Sequence, residues 1–225
     1  SRTRPTASSI STRSRRKRAS GRASSAWTSS RWSPRASASP GINGNQKDNS
    51  VFDAGAVYVF TRKGEHWIQQ AYVKASNPRS SAEFGHAVSL SADGNTMAVS
   101  AFWESSNAKG INGNQKDESI PQAGAVYTFT RRGTTWTQQA YIKASNTGEA
   151  GTADAFGDGD QFGFSIALNA DGNTLAVGAL TEDSAATGIN GNQADNSKAS
   201  AGAVYVFTRS GTTWSQQAYV KPSDI

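Results

Sequence analysis

Oxygen-bearing side chains recur at regular places in this 225-residue chain, and they are the first candidates for chemistry. Asn43, Asn112 and Asn190 stand third in a repeated Gly-Ile-Asn-Gly-Asn-Gln string. Asn45, Asn114 and Asn192 follow two residues later, and Asp48, Asp117 and Asp195 three further on. Glu104 and Glu182 lie just upstream of the second and third copies. Amide and carboxylate oxygens at such spacing could ligate Ca²⁺ or hydrogen-bond to a sugar or peptide. The same residues also shape loops, because Asn-Gly-Asn supports turns of positive φ and Asp caps loop amides. Their recurrence in every unit favours loop shaping, since ligand sites in repeat architectures are seldom copied. Asp154, Asp158 and Asp160, with Gly157 and Gly159, form a single-copy acidic run. It lacks the spacing and terminal Glu of an EF-hand loop, which leaves it a secondary Ca²⁺ candidate.

The aromatic residues divide in the same way. Trp67, Trp136 and Trp214, with Tyr72, Tyr141 and Tyr219, could offer a stacking platform for sugars or bases. Their identical place in each unit predicts packing between neighbouring units instead. Trp103 has no such copy, since Thr181 takes its place, and is the better candidate for a ligand contact. Catalysis finds little support. His66 aligns with Thr135 and Thr213, and His86 with Phe164; nothing pairs either with a nucleophile and an orienting carboxylate. The absence of cysteine excludes disulfides, thiolate metal sites and a cysteine nucleophile together. The expectation is a protein that is not an enzyme and needs no cofactor, Ca²⁺ excepted.

The elements that must position these residues come from a long repeat. The Gly-Ile-Asn-Gly-Asn-Gln string begins at Gly41, Gly110 and Gly188; Ala-Gly-Ala-Val-Tyr begins at Ala54, Ala123 and Ala201. Trp-x-Gln-Gln-Ala-Tyr-(Val/Ile)-Lys begins at Trp67, Trp136 and Trp214, so the offsets are 69 and 78 residues. The nine extra residues of the longer spacing fall after Asn146. Each complete unit reads as four short strands. His86 to Ser91 and Met97 to Phe102 flank an Ala-Asp-Gly-Asn hairpin turn. Gly124 to Thr130 alternates with period two, and Trp136 to Lys143 follows after an Arg-Gly-Thr turn. No stretch sustains a helical period. Repeated units of four antiparallel strands are the pattern of β-propeller blades, here with long loops.

Phe162-Gly163 opening the first strand, Leu175 to Ala179 in the second and Gly202 to Phe207 in the third resemble the FG-GAP repeat. The resemblance covers about residues 41–225. It implies the integrin-α type of propeller, also built by many bacterial surface or secreted proteins. A secreted or cell-surface location and a role in adhesion would follow from it. Calcium-binding blades of that family carry a D-x-(D/N)-x-D-G loop between the first two strands. Here only the tight Asp93-Gly94-Asn95 and Asp171-Gly172-Asn173 turns stand there, so the resemblance does not extend calcium to these positions.

The repeat accounts for residues 41–77 as half a blade, and for 84–146 and 162–225 as two complete ones: an all-β, incomplete ring of about two and a half blades. Propellers close with about four to eight blades, so open sheet edges predict missing blades or self-association as partners. Residues 1–40 carry ten of the 23 Lys and Arg and no Asp or Glu. The formal charge of +6 is therefore +10 in this segment and −4 elsewhere, where 13 basic residues stand against 17 acidic ones. Such a serine- and arginine-rich stretch is predicted to be disordered. It could act as a polyanion arm or resemble a transit segment, without the apolar core of a secretion signal. It also has the composition that a shifted reading frame in GC-rich DNA yields, and that reading makes nucleic acid an improbable partner. No apolar run is long enough for a membrane helix.

Strand order places the 1–2 and 3–4 turns at one end of each blade and the long 2–3 and 4–1 loops at the other. Long loops on a rigid frame are where binding usually resides. The expected function is a non-enzymatic binding or adhesion module recognising a protein or carbohydrate. The alternatives are a fragment of a propeller lyase or glycan hydrolase with its catalytic residues on other blades, and a polyanion binder acting through the basic segment.

Overall fold

The computed structural model describes residues 24–28, 38–148 and 159–224. Eleven strands and no helix occur among them. The first sheet holds β1 (Ser24–Thr28), β2 (Val57–Lys63) and β3 (His66–Val73) in that order. The second holds β4 (Val88–Leu90), β5 (Thr96–Ala101), β6 (Ala125–Arg132) and β7 (Thr135–Ile142). The third holds β8 (Phe162–Leu168), β9 (Thr174–Ala179), β10 (Ala203–Ser210) and β11 (Thr213–Val220). Neighbours are antiparallel and sequential throughout, so these are propeller blades in an open series. The alternation in β6 sends Tyr127 and Phe129 to one face and Val126 to the other, and all three are wholly buried because a sheet packs on each face. The last hairpin of every sheet carries the same bulge, at Val59/Phe60, Thr128/Phe129 and Val206/Phe207.

One expectation needs correction. Residues 1–40 were predicted to form no element, yet Ser24–Thr28 pairs with β2 from Ser24 opposite Thr61 to Thr28 opposite Val57. It fills the slot that Thr174–Gly178 fills in the third sheet, where Thr174 faces Thr208 and Gly178 faces Val204. The physical reason lies in the sheet edge, whose unpaired N–H and C=O groups accept any extended segment. Residues 23–30 are the uncharged window between Arg22 and Arg31. Residues 1–23 and 29–37 of that segment lie outside the described residues.

The sheets stack face to face through two apolar cores. Val57, Val59 and Val73 of the first sheet meet Met97, Val99, Phe129 and Trp136 of the second. Ala98, Val126 and Ile142 of the second meet Leu175, Val177, Phe207 and Trp214 of the third. At each joint the main chain itself makes the contact. The N–H of Phe84 donates to Ala54 O at 3.1 Å, and that of Phe162 to Ala123 O at 3.2 Å. A Cβ at Gly55 would lie 2.1 Å from Phe84 O, and one at Gly124 2.1 Å from Phe162 O. Both positions therefore require glycine. Each phenylalanine then plugs the core edge-on to tyrosine, Phe84 on Tyr127 at 5.3 Å and Phe162 on Tyr205 at 5.3 Å. Burial of one such ring contributes about 1.5–3 kcal/mol.

A polar clamp repeats beside each plug. Trp136 Nε1 and Arg131 Nη1 both donate to Gln70 Oε1, each at 3.0 Å. Trp214 Nε1 and Arg209 Nη1 donate to Gln139 Oε1 at 2.9 and 3.1 Å. Each guanidinium also sits 5.4 Å from its tryptophan ring. The predicted packing of Trp136 and Trp214 between units is thus observed, with both rings 3 % exposed.

Candidate functional site

The long loops begin with the three asparagines of the Gly-Ile-Asn string. Asn43, Asn112 and Asn190 all adopt φ 57°, a left-handed conformation that Asn tolerates better than most residues. Their side-chain Oδ1 accepts the N–H of Tyr72, Tyr141 and Tyr219, each at 3.0 Å. Their own N–H groups donate back to the same tyrosines' carbonyls, each at 2.7 Å. The loop is thereby laced to the outer strand of its sheet, and Ile42, Ile111 and Ile189 bridge to Val73, Ile142 and Val220.

The next recurring residues are engaged in the same manner. Asn45, Asn114 and Asn192 accept the N–H of Lys47, Lys116 and Ala194 in two-residue Asx turns. Asp117 accepts from Asn107 N and from Ser119 N and Oγ. The Asn107 and Ser119 amides, with the Ser119 hydroxyl, hold its carboxyl below the usual range. Asp195 accepts from Ala185 N and Ser197 N, and Asp48 from Ala38 N and Ser50 N. These oxygens close loops, which is the loop-shaping role their recurrence predicts.

Glu104 and Glu182 do not face the solvent at all. Lys143 Nζ donates to Glu104 Oε2 at 2.9 Å and Lys221 Nζ to Glu182 Oε2 at 2.7 Å, and all four side chains are wholly buried. Glu104 also accepts from Asn77 Nδ2 and Ser106 N. Glu182 accepts from Asn146 Nδ2, Ser184 N and the Tyr219 hydroxyl. Their expected place among ligand-facing residues is corrected accordingly: a buried carboxylate needs its charge and lone pairs satisfied within the protein, and these are. The lysines escaped notice in the sequence, although both pairs share a spacing of 39 residues. Lys74 is the third member. Its counterpart 39 residues upstream is Arg35, outside the described residues. Lys74 Nζ donates to the carbonyl of Gly55 instead. Burial lowers its pKa to about 8, with the Asp48 carboxylate acting against that shift.

Trp103 remains accessible at 36 % and packs at a tilt of 40° and 5.2 Å on Phe102, which lies against His86 and Phe164. Asp154 and Asp158 lie outside the described residues. Asp160 is buried between the second and third sheets, where burial and then the Glu182 carboxylate raise its pKa to about 7. No three His, Asp or Glu side chains among the described residues converge as a metal ion requires.

A second group of residues went unremarked in the sequence, and two of them, Phe52 and Arg79, do not recur. Between the loops of the first and second sheets runs a groove of about 760 Å³ lined by Phe52, Asn77, Arg79, Ser105, Gln115 and Glu118. Phe52 is 53 % exposed, and the repeat puts Pro121 and Ala199 at its place. Arg79 replaces a glycine, Gly148, of the next unit. It pairs with Glu118 and donates from Nη2 to Gln115 O at 2.9 Å. Its Nε is buried with no acceptor among the described residues. Breaks in a repeat are the signal that could have pointed here.

Stacked antiparallel sheets, each joined to the next through a Phe-Gly backbone contact, define a β-propeller repeat protein. The model of the FG-GAP repeat family matches residues 67–129, from β3 across the first joint to Phe129 in β6, so this stretch carries an FG-GAP repeat. No curated protein matches it. No helix among the described residues is long and apolar enough to cross a membrane.

Proposed function

We propose that this chain is a non-enzymatic binding module whose long-loop face receives a protein or glycan partner at a secreted or cell-surface location. The observation that carries the reading is a contrast on that face. The recurring polar residues spend their oxygens on loop amides and buried lysines, whereas the groove between the first two sheets adds Phe52 and Arg79, which have no copy in the other units. Phe52 offers an exposed ring there, beside the Arg79 guanidinium, whose buried Nε has no acceptor among the described residues. An aromatic surface beside a guanidinium suits a sugar ring or peptide side chain carrying a carboxylate, because the planar guanidinium pairs with carboxylates.

The test is ligand-dependent thermal stabilisation against a panel of acidic glycans and peptides. The expected ligand stabilises the wild type and a His86→Ala variant alike, and loses affinity about tenfold or more in Phe52→Ala or Arg79→Ala, the scale of one anchoring contact. Binding indifferent to both groove variants, or turnover abolished by loss of one carboxylate, would overturn the reading.

A further inference from the structure

The two ends of the sheet series carry the two halves of the internal joint. On the outer face of the third sheet Val204 is 41 % exposed, while its equivalents Val57 and Val126 are wholly buried beneath the following sheet. Leu180, Phe164 and Gly178 continue this face in a shallow depression of about 530 Å³. The socket is open as well: a Cβ at Gly202 would find its nearest atom, Leu180 O, at 3.3 Å, where Gly55 and Gly124 meet a phenylalanine at 2.1 Å. Gln217, the equivalent of Gln70 and Gln139, is exposed. At the opposite end of the series, Trp67 is 49 % exposed where Trp136 and Trp214 are 3 % exposed. Arg62, the equivalent of Arg131 and Arg209, is exposed beside it in the hairpin register.

From this complementarity we infer that a second copy of this chain docks head to tail, its first sheet covering the third sheet of the first copy. Gln217 accepts from Trp67 and Arg62 of the neighbouring copy, repeating the clamp that Gln70 makes with Trp136 and Arg131. The occupant is argued from continuity: the same contact occurs twice within the chain, and Val204, Gln217, Arg62 and Trp67 stand at the positions that make it. This proposal does not depend on the groove ligand. No Phe-Gly precedes Phe84 in the sequence, so the joint between copies has the clamp and the valine face without the plug, and its association is reversible. Such a contact is heterologous, and it closes into a ring or continues as a filament. Two copies supply six sheets, within the range of about four to eight at which propellers close.

The experiment is sedimentation velocity of the full chain over a range of concentrations, with Trp67→Ala and Val204→Arg variants, both at exposed positions. The wild type is expected to shift from one chain's mass to two, if the ring closes, or to a longer series, if it does not, as concentration rises, and each variant alone to remain at one. An equimolar mixture of the variants regains a two-chain species, because the intact third sheet of Trp67→Ala meets the intact first sheet of Val204→Arg. Near-ultraviolet circular dichroism establishes that each variant is folded. A wild type that stays monomeric overturns the inference. So does association that survives in both variants, which would locate it at the sheet edges, or a mixture that regains nothing, which would exclude a head-to-tail contact.

Discussion

Lys221 Nζ lies 2.7 Å from Glu182 Oε2 with neither side chain reaching solvent, and the Tyr219 hydroxyl donates to the second carboxylate oxygen at 2.6 Å. The carboxylate thus ties the start of a long loop to the end of the outer strand 39 residues later. The same knot recurs between Glu104 and Lys143. Burial pushes the Lys143 ammonium below its ordinary pKa, and the Glu104 charge counteracts that shift.

Removing one partner of such a pair leaves a buried charge uncompensated. Glu182→Gln is expected to cost about 3–5 kcal/mol in urea unfolding. The double change Glu182→Leu with Lys221→Met should regain only part of that loss, since the apolar pair needs no desolvation but leaves the Asn146, Ser184 and Tyr219 donors without their acceptor. A single-variant cost below about 1 kcal/mol, the value of an exposed pair, would show that the knot contributes little.

The glycines of the joint separate close approach from backbone conformation. Gly124 and Gly202 share the left-handed region, at φ +79° and +70°, yet only Gly124 has an oxygen of the next sheet 2.1 Å from its absent Cβ. Gly202→Ala is expected to cost about 1–2 kcal/mol, chiefly the conformational penalty, with a slight adjustment at Leu180 O 3.3 Å away. Gly124→Ala should exceed it clearly, because Phe162 must withdraw. Equal melting temperatures for the two variants would remove the joint from the account.

Asn112 and Asn114 are two residues apart and differ in what they hold. Asn112→Ala loses the bond to Tyr141 N and strains a residue at φ 57°, for about 2 kcal/mol in all. Asn114→Ala loses an exposed Asx turn and should cost about 0.5 kcal/mol. Unfolding midpoints of the two variants check the order.

Asp160 gives the fold a pH dependence. Its carboxyl titrates near 7 in the folded protein, because of burial first and the Glu182 charge second, against 3.8 as its ordinary value. Gly148 N–H and Lys143 act in the opposite direction, and Asp183 adds to the rise. Between those two values the folded state holds the proton that the unfolded chain has released. Stability therefore falls as pH rises from about 4 to about 7 and levels off above, by linkage. Asp160→Asn should flatten that slope in denaturant titrations across this window. An unchanged slope would assign the dependence elsewhere.

Strand order, the hairpin turns and the inter-sheet tryptophans were legible because each rests on local chemistry copied in every unit: Asp-Gly-Asn for the turn, period-two alternation for Gly124 to Thr130. The loop-closing work of Asn112 and Asp117 was legible for the same reason. Three features were not. Ser24–Thr28 is held by backbone pairing at an edge, which leaves no side-chain pattern to read. The Glu–Lys knots join residues 39 apart, and a carboxylate on a polar loop reads as exposed until packing buries it. Phe52 and Arg79 interrupt the repeat, and a reading built on recurrence passes over whatever occurs once.

The Phe-Gly joint has a consequence for how such a chain varies. Because the contact is main chain against main chain, the angular step from one sheet to the next is written in Ala123, Gly124 and Phe162, with the Gln161 N–H on Gln122 O beside them. The nine residues added after Asn146 accordingly leave the second joint with the same hydrogen bond and the same glycine approach as the first. Loop length and curvature are mechanically uncoupled in this molecule, so its connecting segments are free to diversify while its pitch is inherited unchanged.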